Sequence, residues 1–384
     1  MERVETLEAP IPVSVRRLVD RSGPAVQTVD DYLQHLVESG GSDLHLKAGG
    51  PAYVRIDGDL KPVSQLPPVS PADTERMAHD MMDTRLLKIF EDHREADFAY
   101  SIPGVGRFRV NAFKQRGSTG IVARRVLPGT PSFAALGMPP AVRKLAEEHR
   151  GLVLVTGPTG SGKTTTTAAM LSHINATRRC HIVTLEDPIE VMHRDDHAII
   201  DQREVGVDTD DFVTGMKAVS RQDPDVIFIG EMRDIETVTA ALQAAETGHL
   251  VVSTLHTTDA RETINRVVDM YPKEQQAQAR LSLANSLKGI VCQRLVPKAA
   301  GQGRVAVVEV MVMTTRIYEF VMDPDQLPMI EDAIGEGGYY GMQTFDQHLL
   351  ALYGEGEVTL RDALSAATNP HDFRVALRGA GLAS

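Results

Sequence analysis

The sequence predicts an α/β protein, with a smaller α+β domain ahead of the main core and a helical tail behind it. Two patterns carry this reading. Four short apolar runs, Leu152–Thr156 (LVLVT), His181–Leu185 (HIVTL), Val226–Ile229 (VIFI) and Leu250–Thr254 (LVVST), are separated by helix-forming segments. Strands apolar at every position are buried on both faces, and helices between them signal a doubly wound parallel sheet. Upstream, by contrast, the runs alternate apolar with polar residues, as half-buried strands do.

In chain order, residues 1–26 hold several prolines and no clear periodicity, and read as a loosely held extension. Thr28 to Ser39 places Leu33, Leu36 and Val37 on one helical face behind Asp30 as a cap, and Gly40-Gly41 stops the helix. Asp43–Lys47, Ala52–Ile56, Phe98–Ile102 and Arg107–Phe113 alternate as strands, with a helical stretch from Pro71 to about Phe90 between them. Together these make an α+β domain over 27–126. The Pro- and Gly-rich segment LPGTPSFAALGMPP makes 127–140 a linker. The core then runs over 141–384, mostly helical from about 298, with a Gly-rich break at Gly335–Gly341.

Composition narrows the class. The 384 residues are 42% apolar and 24% charged, as in ordinary globular proteins. No run approaches the roughly 18–20 uncharged apolar residues of a membrane span. The acidic start, MERVETLE, does not read as a signal peptide. Cys180 and Cys292 stand far apart and read as reduced thiols, which with the preceding features points to the cytoplasm. A net charge of −12 weighs against nucleic acid, because phosphate contacts need clustered Lys and Arg.

Gly157-Pro158-Thr159-Gly160-Ser161-Gly162-Lys163-Thr164, followed by Thr165, fits G-x-x-x-x-G-K-[ST] between an apolar strand and a helix-forming run. The glycines let backbone N–H groups wrap phosphates, and the helix N-terminus adds positive potential. Lys163 is expected to reach the β- and γ-phosphates of ATP, and the Thr164 hydroxyl to bind Mg²⁺. Three further clusters follow the later strands, at the edge where an open α/β sheet binds its ligand. They are Glu186-Asp187-Pro188-Ile189-Glu190, Gly230-Glu231-Met232-Arg233-Asp234, and Thr247-Gly248-His249 with Ser253-Thr254-Leu255-His256-Thr257. Asp234 reads as a helix cap. Hydrolysis needs a carboxylate to position or deprotonate water and a group that senses the γ-phosphate. Glu231 is the first choice for the base. Glu186 is expected to orient water or the metal, and His256 and His249 to sense γ-phosphate or a subunit interface.

At these residues the sequence resembles the secretion ATPase superfamily, and within it the PilT-type pilus retraction ATPases. GPTGSGKTTT looks like that family's Walker A motif, VTLEDPIEV like its Asp box, RQDPDVIFIGEMRD like its Walker B region and TGHLVVSTLHTTDA like its His box. SDLHL, RIDGDL, QRLVP and YGMQTFDQHL extend the likeness to about residues 28–375. The resemblance implies a RecA-like P-loop core behind a PAS-like N-terminal domain. It also implies a homohexamer with ATP between subunits, and arginines donated from the N-terminal domain, for which Arg109 and Arg124 match best. The expected work is ATP-driven pilus retraction, that is, pilin disassembly and twitching motility. The expected partner is an inner-membrane platform protein at the cytoplasmic face of the pilus base, with a paralogous ATPase ring as a further partner.

Extension and type II secretion ATPases carry a four-cysteine zinc loop, which Cys292 alone cannot build, so the retraction branch fits better. Retraction ATPases usually carry an Ala-Ile-Arg-Asn-Leu-Ile-like stretch where this chain reads Thr314-Thr315-Arg316-Ile317-Tyr318-Glu319-Phe320, keeping the arginine and little else. An accessory PilU-type ATPase and a type II or type IV secretion ATPase therefore stay open as alternatives.

Overall fold

The computed structural model describes residues 27–56, 58–126 and 129–382, so the expected extension at 1–26 lies outside the described residues. The chain divides into two compact units after Arg125.

In the first unit, α1 (Val29–Glu38) precedes β1 (Asp43–Lys47), β2 (Tyr53–Ile56) and β3 (Asp59–Pro62). Then come α2 (Pro71–Asp80), α3 (Thr84–His93), β4 (Glu95–Ile102), β5 (Gly106–Gln115) and β6 (Ser118–Val126). The strands form one six-stranded sheet in the order β3-β2-β1-β6-β5-β4. Thr28, rather than Asp30, caps α1: its side chain accepts from Asp31 N–H while the Asp31 carboxylate accepts from Thr28 N–H, a reciprocal capping box. The helical stretch expected from Pro71 to Phe90 is two helices, because the Asp83 carboxylate accepts from Leu86 N–H at 2.8 Å and starts a new one. Leu33, Leu36, Leu44, Phe108 and Val110 are fully buried and form the centre of this unit's core.

The second unit begins with α4 (Pro140–Ala146), β7 (Gly151–Thr156), α5 (Lys163–Thr177), β8 (His181–Glu186) and β9 (Ile199–Glu204). It continues through α6 (Phe212–Val219), β10 (Val226–Ile229), α7 (Ile235–Glu246), β11 (Leu250–Leu255), α8 (Ala260–Asp269), α9 (Gln276–Ser286), β12 (Leu287–Pro297) and β13 (Arg304–Val312). The last helices are α10 (Thr315–Met322), α11 (Ile330–Glu336), α12 (Phe345–Gly354), α13 (Leu360–Ala366) and α14 (Pro370–Gly379). The seven-stranded sheet has the order β13-β12-β7-β11-β10-β8-β9, parallel except where β13 runs antiparallel to β12.

Side-chain alternation explains why the central strands are apolar throughout. Leu152, Leu154 and Val251 enter the core on one face, while Val153, Val155, Leu250 and Val252 enter the core on the other. Each such side chain contributes about 1.5–3 kcal/mol on burial, which drives the sheet between its two helical layers. The helical region starts at Thr315 rather than near 298. Residues 305–312 (VAVVEVMV) are nearly all buried and extend the sheet, with β12, beyond the strands that the four apolar runs predict.

Candidate active site

The phosphate loop leaves the C-terminal end of β7 and enters α5, whose first residue is Lys163. Two glycines are required by close approach. A Cβ on Gly157 would lie 2.4 Å from the Gln293 carbonyl oxygen, and one on Gly162 would lie 2.7 Å from Gln293 Nε2; both residues also have positive φ. Gln293 grips the loop from β12. Its Nε2 donates to the Ser161 carbonyl at 2.7 Å, and its Oε1 accepts from the Thr166 hydroxyl at 2.7 Å. Pro158, Thr159 and Gly160 form the exposed crest, and Thr164 and Thr165 are half-buried on the first turn. The buried Ser161 Oγ has no hydrogen-bond partner among the described residues. An unsatisfied hydroxyl on a loop at a helix N-terminus suits an anionic ligand.

The Lys163 ammonium donates to the loop's own carbonyls, Gly157 at 2.7 Å and Pro158 at 3.1 Å, and lies 3.4 Å from His256 Nδ1. An ammonium only donates, so Nδ1 accepts and Nε2 carries the imidazole proton. That Nε2 sits 3.0 Å from Glu231 Oε1, and Arg233 holds the other Glu231 oxygen at 2.9 Å. Three motifs from the ends of β7, β10 and β11 thus form one line, Lys163–His256–Glu231–Arg233. Thr254 fixes its geometry: its hydroxyl donates to the Gly230 carbonyl at 2.6 Å, and its carbonyl accepts from Met232 N–H at 3.2 Å. Burial lowers the Lys163 pKa, and the Glu231 and Glu190 charges oppose that shift.

With this geometry in hand, the chain compares with known proteins as follows. The family described as type II/IV secretion system protein matches residues 19–362. The chain belongs to this family. The type IV pilus retractation ATPase PilT of Pseudomonas aeruginosa is 44% identical over 90% of this chain and 99% of its own length. The type IV pilus ATPase PilU of the same organism is 40% identical over 91% of each. The crystal structure of the pilus retraction motor PilT with bound ADP, 44% identical, superposes with a TM-score of 0.83 over 90% of this chain and 99% of that one. The fold is accordingly the mixed α/β fold of this secretion family.

Other sequence candidates sit elsewhere. Glu186 ends β8 with a buried carboxylate that accepts from the Thr184 hydroxyl at 2.7 Å and Gln202 Nε2 at 3.0 Å, and burial raises its pKa. Glu190, on the loop that follows, is exposed, and its charge acts on Lys163. Of the three carboxylates in this acidic cluster, Glu190 is the one whose charge acts on Lys163. His249 lies at the start of β11, the strand end opposite His256, its Nδ1 2.9 Å from the Ala244 carbonyl. Arg109 and Arg124 belong to the first unit. Arg109 is exposed on β5 with no ion pair among the described residues, and Arg124 pairs with Asp43 at 2.7 Å.

Sequence reasoning passed over Gln293 and Glu190 as site residues. Both stand inside stretches that carry the family likeness, QRLVP and LEDPIE, but only the fold shows which side chain of each stretch approaches the loop.

The site's fit to Mg²⁺ follows from its ligands. No group of three His, Cys, Asp or Glu capable of holding a metal occurs among the described residues. Mg²⁺ keeps several waters and takes one or two protein ligands plus phosphates, so a single half-buried hydroxyl such as Thr164 on the first turn of α5 fits it as part of a nucleotide complex.

Proposed function

We propose that this chain is an ATP-hydrolysing motor that assembles as a homohexamer and powers type IV pilus retraction. The observation that carries the reading is the Lys163–His256–Glu231 line, which couples the phosphate loop to a carboxylate base through one imidazole. Kinship to PilT supports the assignment to retraction. The core behaves as a RecA-like unit and residues 27–126 as a PAS-like domain. The ring works at the cytoplasmic face of the inner membrane against the platform protein; no helix among the described residues is long and apolar enough to cross a membrane.

Each group in the site has a distinct part in hydrolysis. Lys163 exchanges its bonds to the loop carbonyls for γ-phosphate oxygens, a stronger charge-assisted contact. That exchange withdraws the ammonium from His256, which then senses the γ-phosphate. Glu231 orients water in line with the phosphorus and accepts its proton. Thr164 would hold Mg²⁺ together with the nucleotide, and the ion would supply charge neutralisation at the phosphates. Glu186 holds the loop that carries Glu190. Arg109 and Arg124 supply guanidinium groups to a neighbouring subunit's nucleotide, where they stabilise transition-state charge. His249, at the far end of β11, serves the subunit interface.

The steady-state ATPase rate with Mg²⁺, compared with Glu231→Ala, tests the enzyme. Full turnover in the variant would overturn the assignment of the base. Deletion of the gene tests the work: loss of twitching motility is the expected result, and loss of secreted protein with intact motility would shift the chain to secretion. The accessory reading draws on the PilU kinship; it predicts ATP binding without turnover in the isolated protein.

A further inference from the structure

A cavity of ≈ 630 Å³ opens beside the phosphate loop, within the size range of small-molecule sites. Gly162, Thr165 and Thr166 line one part of it. Another wall is a single face of α12 and its C-cap, on which His348, Ala351, Leu352 and Glu355 recur at helical spacing. Charge distinguishes the two regions. The α5 N-terminus and Lys163 make the first one positive. The second carries both signs in balance, Lys298 and Arg304 beside Glu355 and Glu357, with Glu357 3.8 Å from Lys298. A triphosphate is drawn to the first region, whose charge is unopposed, so the charge-balanced α12 wall receives the uncharged part of a nucleotide. This step rests on the nucleotide reading of the phosphate loop.

His348 is prepared for such a ligand. Its Nδ1 accepts from Val308 N–H of β13 at 3.0 Å. A backbone N–H can only donate, so Nδ1 is the bare nitrogen and Nε2 carries the hydrogen. Burial pushes the imidazole down to about 4, which keeps the ring neutral near physiological pH. Nε2 lies on the ring edge away from β13 and makes no hydrogen bond among the described residues. The strand backbone therefore fixes both the orientation and the tautomer of one spare donor on the cavity wall.

We propose that His348 Nε2–H donates to an acceptor nitrogen of the purine base, which makes His348 a specificity-determining residue of the nucleotide site. The phosphates stay at the α5 N-terminus, the base stacks along the α12 wall, and the donor selects ligands that present a lone pair there.

Isothermal titration of the full-length protein with Mg²⁺-ATP and with Mg²⁺-tripolyphosphate, which lacks the base, tests the assignment. His348→Ala is expected to weaken ATP binding roughly three- to tenfold, the effect of one neutral hydrogen bond, and to leave tripolyphosphate unchanged. His348→Gln, whose amide can both accept from Val308 and donate into the cavity, is expected to recover most of the loss. Equal weakening of both ligands by His348→Ala would mean that the residue acts only by holding β13, and no weakening of either would place the base elsewhere; each result overturns the proposal. A wild-type protein that binds neither ligand, or a Lys163→Ala variant that binds both normally, would instead remove the nucleotide reading beneath it.

Discussion

Replacing Gln293 with Leu conserves side-chain volume closely and removes both polar contacts of a residue that is only 2% exposed. The Ser161 carbonyl loses its donor at 2.7 Å and the Thr166 hydroxyl its acceptor at 2.7 Å. Thr166 is 0% exposed and Ser161 4%, so water reaches neither group freely. Leaving a buried polar group unpaired costs about 1–3 kcal/mol. Removing the burial cost of the amide itself offsets part of this, so the net loss is about 2–4 kcal/mol. For a unit of this size 1 kcal/mol moves the melting temperature by about 2–4 °C, so the expected drop is roughly 4–16 °C. Scanning calorimetry without nucleotide reads it directly, and ATP titration should show weakened binding, because the freed carbonyl no longer fixes the loop. Gln293→Glu keeps the acceptor for Thr166 but turns a carboxylate oxygen toward the Ser161 carbonyl. It should lose more ATP affinity than stability. A Gln293→Leu protein that melts within about 2 °C of wild type and binds ATP normally would refute the claim that this residue holds the phosphate loop.

Three further outcomes follow from the same geometry. Glu231→Gln keeps the shape of the site and removes its base, so turnover should fall about 10²–10⁴-fold while ATP still binds, as filter binding beside a phosphate-release assay would report. Lys163→Ala removes charge-assisted contacts worth about 1.5–3 kcal/mol each, so ATP affinity should fall at least tenfold by titration. Glu309, whose carboxylate accepts from Ala260 N–H at 2.9 Å at the start of α8, has its pKa raised by burial to about 7. As pH rises from about 4.5 to 7, the unfolded chain releases this proton while the folded chain keeps it. Stability therefore falls across that window, by at most about 3 kcal/mol. Glu309→Gln should lack this slope, and identical melting-temperature profiles at pH 5 and 8 for both proteins would contradict it.

The parts of the fold legible in the sequence are those where one residue's environment decides its type. A strand buried on both faces must be apolar throughout, so β7, β8, β10 and β11 announce themselves. Parts that depend on distant partners are less legible. β9 reads IIDQRE, with polar residues that bond to the loop after β8, as Gln202 does to the Val191 carbonyl, and it carries little strand signal. The end of α1 is readable from Gly40-Gly41, but its start turns on whether the Thr28 hydroxyl or the Asp30 carboxylate caps the first turn, which only backbone geometry decides. In the site, the loop glycines and Lys163 follow from their motif. Telling Glu186 from Glu190 required knowing that one carboxylate is buried against Thr184 and Gln202 while the other stays exposed.

β11 has a mechanical consequence. It is hydrogen-bonded along both edges, to β7 and β10, and its residues are buried on both faces. His249 and His256 flank it, separated by about 23 Å at the usual rise per residue. A strand clamped in this way can neither stretch nor buckle to absorb a displacement imposed at one end. On the proposed reading of the two histidines, a shift of His256 would therefore reach His249 as a translation of the strand. β11 would then act as a push-rod between the two ends of the sheet.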